Sequence, residues 1–208
     1  MDGTGNVEAT WPAFARGIME QILREPAGTP VVPPAGEVTS YGGVFVTLRK
    51  FGRLRGCMGT LDTTRPLLDA VRHAALSAAF HDPRFPPVGL DELRDVTLEV
   101  SILSEAWPMR TLDDLELGRH GIVVRCGLRQ GLFLPQVATE HRLDKETFLS
   151  RCCSEKAGLP AQAWRDADTQ VLLFTTQVYS EAGTATDSHP CPPSNKTPGR
   201  GDSAEPQA

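Results

Sequence analysis

Apolar positions recur along this chain with two different periods, and Gly and Pro mark where one period gives way to the next. From Trp11 to Arg24 the spacing of Phe14, Ile18, Ile22 and Leu23 predicts an amphipathic helix, with Pro12 tolerated in its first turn and Pro26 and Gly28 ending it. A Pro-rich connection over 30–41 follows. Gly43-Val44-Phe45-Val46-Thr47-Leu48 is β-prone, Phe51-Gly52-Arg53 reads as a tight turn, and Leu54–Thr60 is the returning arm of a hairpin. A second helix carries Leu67, Val71, Ala74 and Ala78 as its apolar stripe, with Thr63 or Thr64 as the expected cap and Pro66 early in it. Its face is small, so it is expected to lie close to a sheet. The Pro-rich loop Asp82–Pro87 restricts the backbone around one charged pair and one aromatic; Phe85 is expected to fill the core, and Arg84 either to meet a ligand or to pair with a carboxylate.

In the second half, Val96, Leu98, Val100 and Ile102 alternate with Thr97, Glu99 and Ser101, which predicts a strand buried on one face. A short helix is expected over Thr111–Leu117, and a second hairpin from Gly121–Cys126 and Gly131–Leu134, with Pro135 ending its return arm. Asp144 is a natural helix cap, Phe148, Leu149 and Cys152 the inner face behind it, and Gly158 the stop. Val171–Tyr179 reads as one final strand. Hairpins and alternating strands imply antiparallel sheets with flanking helices, an α+β fold, where a parallel sheet would need regular βαβ alternation. Residues 1–10 are expected to form a loose arm and 11–181 the folded domain. Residues 182–208 hold too few large apolar side chains to offset their ordering entropy and are expected to be a disordered tail.

Composition narrows the function classes. The chain has 208 residues, 40% apolar and 23% charged, with a formal net charge of −5, so its overall field repels nucleic-acid phosphates. A local cluster of Arg53, Arg55 and Arg84 keeps a nucleotide- or RNA-binding module as an alternative. The N-terminal residues lack a signal-peptide pattern and no apolar run reaches membrane-spanning length, so a cytoplasmic protein is expected, without membrane contact and with its five cysteines reduced. There is no phosphate-binding loop, dinucleotide fingerprint, nucleophile elbow, zinc-ligand spacing or three-cysteine iron–sulfur motif, and no cofactor or metal is expected.

The chemistry concentrates at Leu54–Thr60, LRGCMGT. Two glycines within one strand point to a bulge or a close backbone approach. Cys57 lies between them, with the Arg55 cation two residues away to favour thiolate, which makes it a candidate nucleophile or redox thiol. The competing expectation is an inert core cysteine. Arg55, Gly56, Gly59, Asp82 and Arg84 are the candidate ligand-binding set. Glu99, on the polar side of its strand, is a candidate general base or arginine partner, or else a solvated strand residue.

LRGCMGT, together with GGVFVTL before it, HDPRFPP at His81–Pro87, LEVS at Leu98–Ser101, FLPQV at Phe133–Val137 and Gly158-Leu159-Pro160 followed by Trp164, resembles the AMMECR-one domain family over about Phe14–Tyr179. The family hexapeptide is LRGCIG, so Met58 stands where the family has Ile. The resemblance implies a two-lobed α+β fold, each lobe an antiparallel sheet with flanking helices, and a cleft between the lobes lined by the LRGC motif and open to an unknown small ligand. Bacterial members are protein A of the AmmeMemoRadiSam system, which makes a Memo-like protein and a radical SAM protein the implied partners. No reaction follows from this, and whether the chain is an enzyme stays open. Three readings stand: an enzyme or enzyme subunit using Cys57, a ligand- or nucleic-acid-binding module, and a non-enzymatic adaptor between the two partners. Truncation at Gly183 is expected to leave the melting temperature essentially unchanged; a fall of several degrees in a thermal melt would show that the tail contributes to the fold.

Overall fold

The computed structural model describes residues 10–24, 31–34 and 40–181. All but one residue of the arm expected over 1–10, and the whole tail expected over 182–208, lie outside them. Two four-stranded antiparallel sheets share out the strands, and each carries helices on one face.

The first sheet contains β1 (Gly43–Lys50), β2 (Arg53–Thr60), β3 (Val96–Leu103) and β8 (Thr176–Ser180), in the order β2-β1-β3-β8. Alternation along the strands sends Val44, Val46 and Leu48, and Val96, Leu98, Val100 and Ile102, to one side. There they meet Phe14, Ile18 and Met19 of α1 (Trp11–Arg24) and Val71, Ala74, Ala75 and Ala78 of α2 (Leu67–Phe80). Burial of each large apolar side chain contributes about 1.5–3 kcal/mol. The stripe of α1 is centred on Ala15 and Met19, so Ile22 falls at its margin and stands 60% exposed. Neither Thr63 nor Thr64 caps α2. Pro66 is the cap, in extended backbone, while the Thr64 N–H and hydroxyl both donate to Asp62 Oδ1 at 3.0 and 2.6 Å. In the loop after α2, Val88 fills the core and Phe85 is half-buried beneath the Arg84 guanidinium, 5.6 Å from its ring centre.

The second sheet contains β4 (Trp107–Pro108), β5 (Gly121–Cys126), β6 (Arg129–Phe133) and β7 (Gln170–Phe174), in the order β4-β7-β5-β6. Ile122, Val124 and Leu173 pack against Phe148, Leu149 and Cys152. The helix supplying those residues starts at Asp144, whose Oδ1 accepts from the Thr147 N–H at 2.8 Å. It continues through a π-helical stretch, Cys152–Ala157, and stops at Gly158 in the left-handed conformation, φ 64°. Three sequence expectations change here. Thr111–Leu117 holds only a single 3-10 turn, Leu112–Asp114. Pro135 opens a short helix, Pro135–Glu140, at the position where a missing N–H costs nothing. The final β run divides at Thr175, giving β7 to the second sheet and β8 to the first. Ser104, where the chain leaves β3, fixes that crossing: its N–H donates to Thr175 O at 2.9 Å and its Oγ accepts from the Thr175 N–H at 3.0 Å. A third apolar cluster, with Leu103, Val123 and Phe174 at its centre and Phe45, Leu61 and Leu132 around it, joins the helix-free faces of the two sheets.

Small residues decide how close α2 comes to β2. A Cβ on Gly56 would lie 2.2 Å from the Ala78 carbonyl oxygen, and a Cβ on Gly59 2.3 Å from Val44 O and 2.4 Å from the Phe45 ring. The close approach foreseen for these glycines is therefore made by the chain itself. Gly56→Val and Gly59→Val are each expected to lose at least about 1–3 kcal/mol, whereas the volume-conserving Met58→Ile loses less than about 1.5 kcal/mol. Urea denaturation measures this; matching midpoints for the three variants would show that the backbone has room to spare.

Candidate functional site

The β1–β2 hairpin turns through Phe51 and Gly52, both with positive φ (50° and 77°), the combination required by a two-residue turn that matches strand twist. Below the turn, Arg49 faces Leu54 while Leu48 faces Gly56, so Arg55 is the extra residue of a β-bulge. Simple alternation would set Arg55 on the same face as Cys57. The bulge breaks that phase, and Arg55 instead reaches Glu92, in the short helix Leu90–Leu93. Its Nη2 donates to Oε1 at 2.6 Å and its Nε to Oε2 at 3.2 Å, and Lys50 Nζ joins the same carboxylate at 2.9 Å. Arg55, Lys50 and the Gly89 N–H hold the Glu92 carboxyl down at about 2, Arg55 most strongly, against a burial that works the other way.

Past the bulge the strands return to regular register, and the pairs Cys57–Thr47, Thr47–Glu99 and Glu99–Ser180 form one row across the sheet on its helix-free face. The Thr47 hydroxyl donates to Cys57 Sγ at 3.4 Å. Cys57 is half-buried, Thr47 is buried at 8% exposure, and Glu99 is half-buried. Burial raises the pKa of Glu99; Arg49 opposes the shift and Glu140, from the second lobe, adds to it. Two strand spacings separate Cys57 from Glu99, about 10 Å. Glu99 is thus beyond hydrogen-bonding reach of the thiol.

β2 is an edge strand, so the Cys57 backbone has no strand on its outer side. The loop after α2 supplies the missing partners. The Cys57 N–H donates to Asp82 Oδ2 at 2.9 Å, and Arg84 Nη2 donates to the Cys57 carbonyl at 3.0 Å. The two side chains are themselves paired, Arg84 Nη2 to Asp82 Oδ2 at 2.7 Å and Nε to Oδ1 at 2.9 Å. Asp82 is 4% exposed. The Arg84 bonds, helped by the Cys57 and Arg84 N–H groups, hold its carboxyl far below the usual carboxylate range despite its burial. Arg84 is raised in turn, chiefly by Asp82, and the Cys57 sulfur adds to that shift. Arg84, rather than Arg55, is the cation held against Cys57, at its carbonyl.

The structure thus brings Cys57, Asp82 and Arg84 into direct contact, sets Glu99 on the same face, and takes Arg55 away to Glu92. Gly56 and Gly59 serve clearance within the chain. Sequence reasoning missed Thr47, Arg49 and Glu92. Thr47 and Arg49 were recoverable from the hairpin register once the bulge was placed; Glu92, in the short helix Leu90–Leu93, carried no signal. Among the described residues, no group of three or more His, Cys, Asp or Glu is arranged to hold a metal, and no helix is long and apolar enough to cross a membrane.

The AMMECR1 family model matches residues 12–179. A protein of Methanothermobacter thermautotrophicus is 46% identical over 147 residues, which is 68% of this chain and 76% of that one. A protein of Thermococcus onnurineus is 40% identical over 192 residues, covering 84% and 92%. The crystal structure of uncharacterized protein PH0010 from Pyrococcus horikoshii is similar at a TM-score of 0.74 and 34% identity, over 86% of this chain and 95% of that one.

Two depressed carboxyls make the site acid-sensitive. The stability each contributes is present above its unfolded pKa and is lost as pH falls through its folded value. Glu92→Gln is therefore expected to be less stable than the parent at neutral pH, with the gap closing as pH falls from 4.5 toward about 2. Asp82→Asn, which loses charged hydrogen bonds to two partners, is expected to cost about 2 kcal/mol at neutral pH and to converge with the parent only in strong acid. Denaturant midpoints across this pH range measure both; curves that run parallel to the parent throughout would show that these pairs do not form in solution.

Proposed function

The chain belongs to the AMMECR1 family, and from that premise we propose that it works through a reactive thiol, Cys57, on the helix-free face of its first sheet, where the thiol faces a small ligand held between the lobes. The observation that carries this is the clamp: both backbone polar groups of one residue are fixed by the Asp82–Arg84 pair, while its side chain stays half-buried with only a long bond from Thr47. Packing an inert cysteine needs no such arrangement. Arg84 is held at the Cys57 carbonyl, and Asp82 sets the position of Arg84. Glu99, too far away to take a proton from Cys57 directly, serves the ligand as base or hydrogen-bonding partner. Arg55 holds the bulge that gives Cys57 its register. The implied system partners, a Memo-like protein and a radical SAM protein, supply or consume that ligand.

A second reading, the non-enzymatic adaptor, draws on the hairpin tip, where Phe51 is 79% and Leu54 41% exposed beside Arg53. That surface suits docking to a partner. The formal charge of −5 and the carboxyl in the Cys57 row weigh against nucleic acid.

Iodoacetamide labelling followed by peptide mapping separates the two. In the folded protein Cys57 is expected to be modified ahead of Cys126, and Cys152 and Cys153 to resist until unfolding, since burial pushes Cys152 up to about 12 and raises Cys153 as well. Asp82→Ala should erase the preference of Cys57 over Cys126. A Cys57 that stays unmodified until the chain unfolds would leave the adaptor in front.

A further inference from the structure

Three arginines packed around the first sheet are occupied. Arg16 is bound to Glu181, Arg55 to Glu92 and Arg84 to Asp82. Arg49 differs: its guanidinium makes no hydrogen bond or ion pair with any described residue, although the side chain is half-buried. By strand alternation it lies on the helix-free face, two residues along β1 from Thr47 and opposite Thr97 of β3. It is thus diagonal to Glu99, at roughly 7–8 Å between Cβ atoms, and one step along the sheet from Cys57. The Glu99 carboxyl feels its charge, but the two groups stand beyond ion-pair distance. At the other end of the same face the third apolar cluster, with Phe45 at its edge, closes the space between the sheets.

We propose that Arg49 is the anchor for an anionic group, a carboxylate or a phosphate, on the small ligand taken by the Cys57 site. The proposal rests on Cys57 being the working thiol and adds the charge class of its ligand. A guanidinium presents its donors as a planar fork that matches two oxygens of such a group. Here that fork has no partner among the described residues. A ligand anchored at Arg49 would lie across β1 beside Thr47, with its far end over Cys57 and any hydroxyl or amine within reach of Glu99. Arg55, the cation that the motif itself suggests for this task, is turned to Glu92, away from the Cys57 row.

Two alkylating reagents of nearly equal size test this, iodoacetate as the anion and iodoacetamide as the neutral control. Each forms an S–C bond at Cys57 as the C–I bond breaks, with iodide leaving and the thiol proton passing to solvent. The rate ratio of iodoacetate to iodoacetamide at Cys57, divided by the same ratio in the urea-unfolded chain, is expected to be about three- to five-fold above one, the effect of one ion pair in a half-exposed site. Arg49→Gln should return it to one, Arg49→Lys should keep part of it, and high salt should erase it. An unchanged ratio in Arg49→Gln would overturn the anchor. Should Cys57 ignore iodoacetamide in the folded protein, the thiol reading fails separately, and inorganic phosphate then decides the anchor by NMR. Saturable movement of the Thr47 amide in the parent but not in Arg49→Gln supports it; a Thr47 resonance that ignores phosphate in the parent rules it out.

Discussion

The contact between the Ala78 carbonyl and the bare backbone of Gly56 sets the rest of the site in place. Any side chain at position 56 would push the last turn of α2 outward, and with it the loop that begins at His81. Asp82 follows within four residues of Ala78, so its carboxylate comes to rest against the edge of β2 only if that turn sits tight. The alanine face of α2 and the glycine of the motif are two halves of one fit. Nothing in it concerns a ligand directly. Its effect is to bring a carboxylate to a backbone amide, that of Cys57, on the open edge of the sheet.

From there the electrostatics follow. A carboxylate nearly sealed from water needs a counter-charge, and Arg84, two residues on, supplies it while reaching the Cys57 carbonyl. The pair acts as a short stretch of substitute strand, one donor and one acceptor wide. On the opposite side of the sheet, the bulge performs a separate sorting. It sends Arg55 and Lys50 together to Glu92, which leaves the helix-free face with Arg49 as the cation closest to the Thr47–Glu99 row. A one-residue insertion in the ladder thus determines which arginine is structural and which stays available.

The fold was legible where local chemistry and tertiary packing agree. Alternation in Val96–Leu103, the small face of α2 and the Asp144 cap with its Gly158 stop all carry their structure in adjacent residues. What went unread depended on partners distant in the chain. No periodicity in Val171–Tyr179 says that one extended run serves two sheets, because both halves are β-prone and the break at Thr175 is made by Ser104. At the site, Cys57, Asp82 and Arg84 could be named from residue type and turn-rich context. That Asp82 and Arg84 close on the backbone of Cys57 could not, since the bonds span 25 and 27 residues. The destination of Arg55 was hidden for the same reason that strand faces are readable at all: a bulge shifts the phase by one residue, and the sequence does not mark which residue is extra.

The division of the final strands also governs the order in which the molecule is completed. β8 closes the first sheet beside β3, and Glu181 just beyond it binds Arg16 on α1 and accepts from the Leu98 N–H. The helix α1 is therefore tied down by a residue 165 positions beyond Arg16 in the chain, and the Cys57-bearing sheet stays one strand short until the second lobe has been synthesised. During translation, β3 has an open edge and Arg16 lacks its Glu181 partner for as long as the ribosome needs to add the roughly 80 residues between β3 and Glu181. Contacts of such long separation are the slow ones to form. The lobe that is made first is thus finished last, and a nascent chain of this protein has reason to require protection of that edge until release.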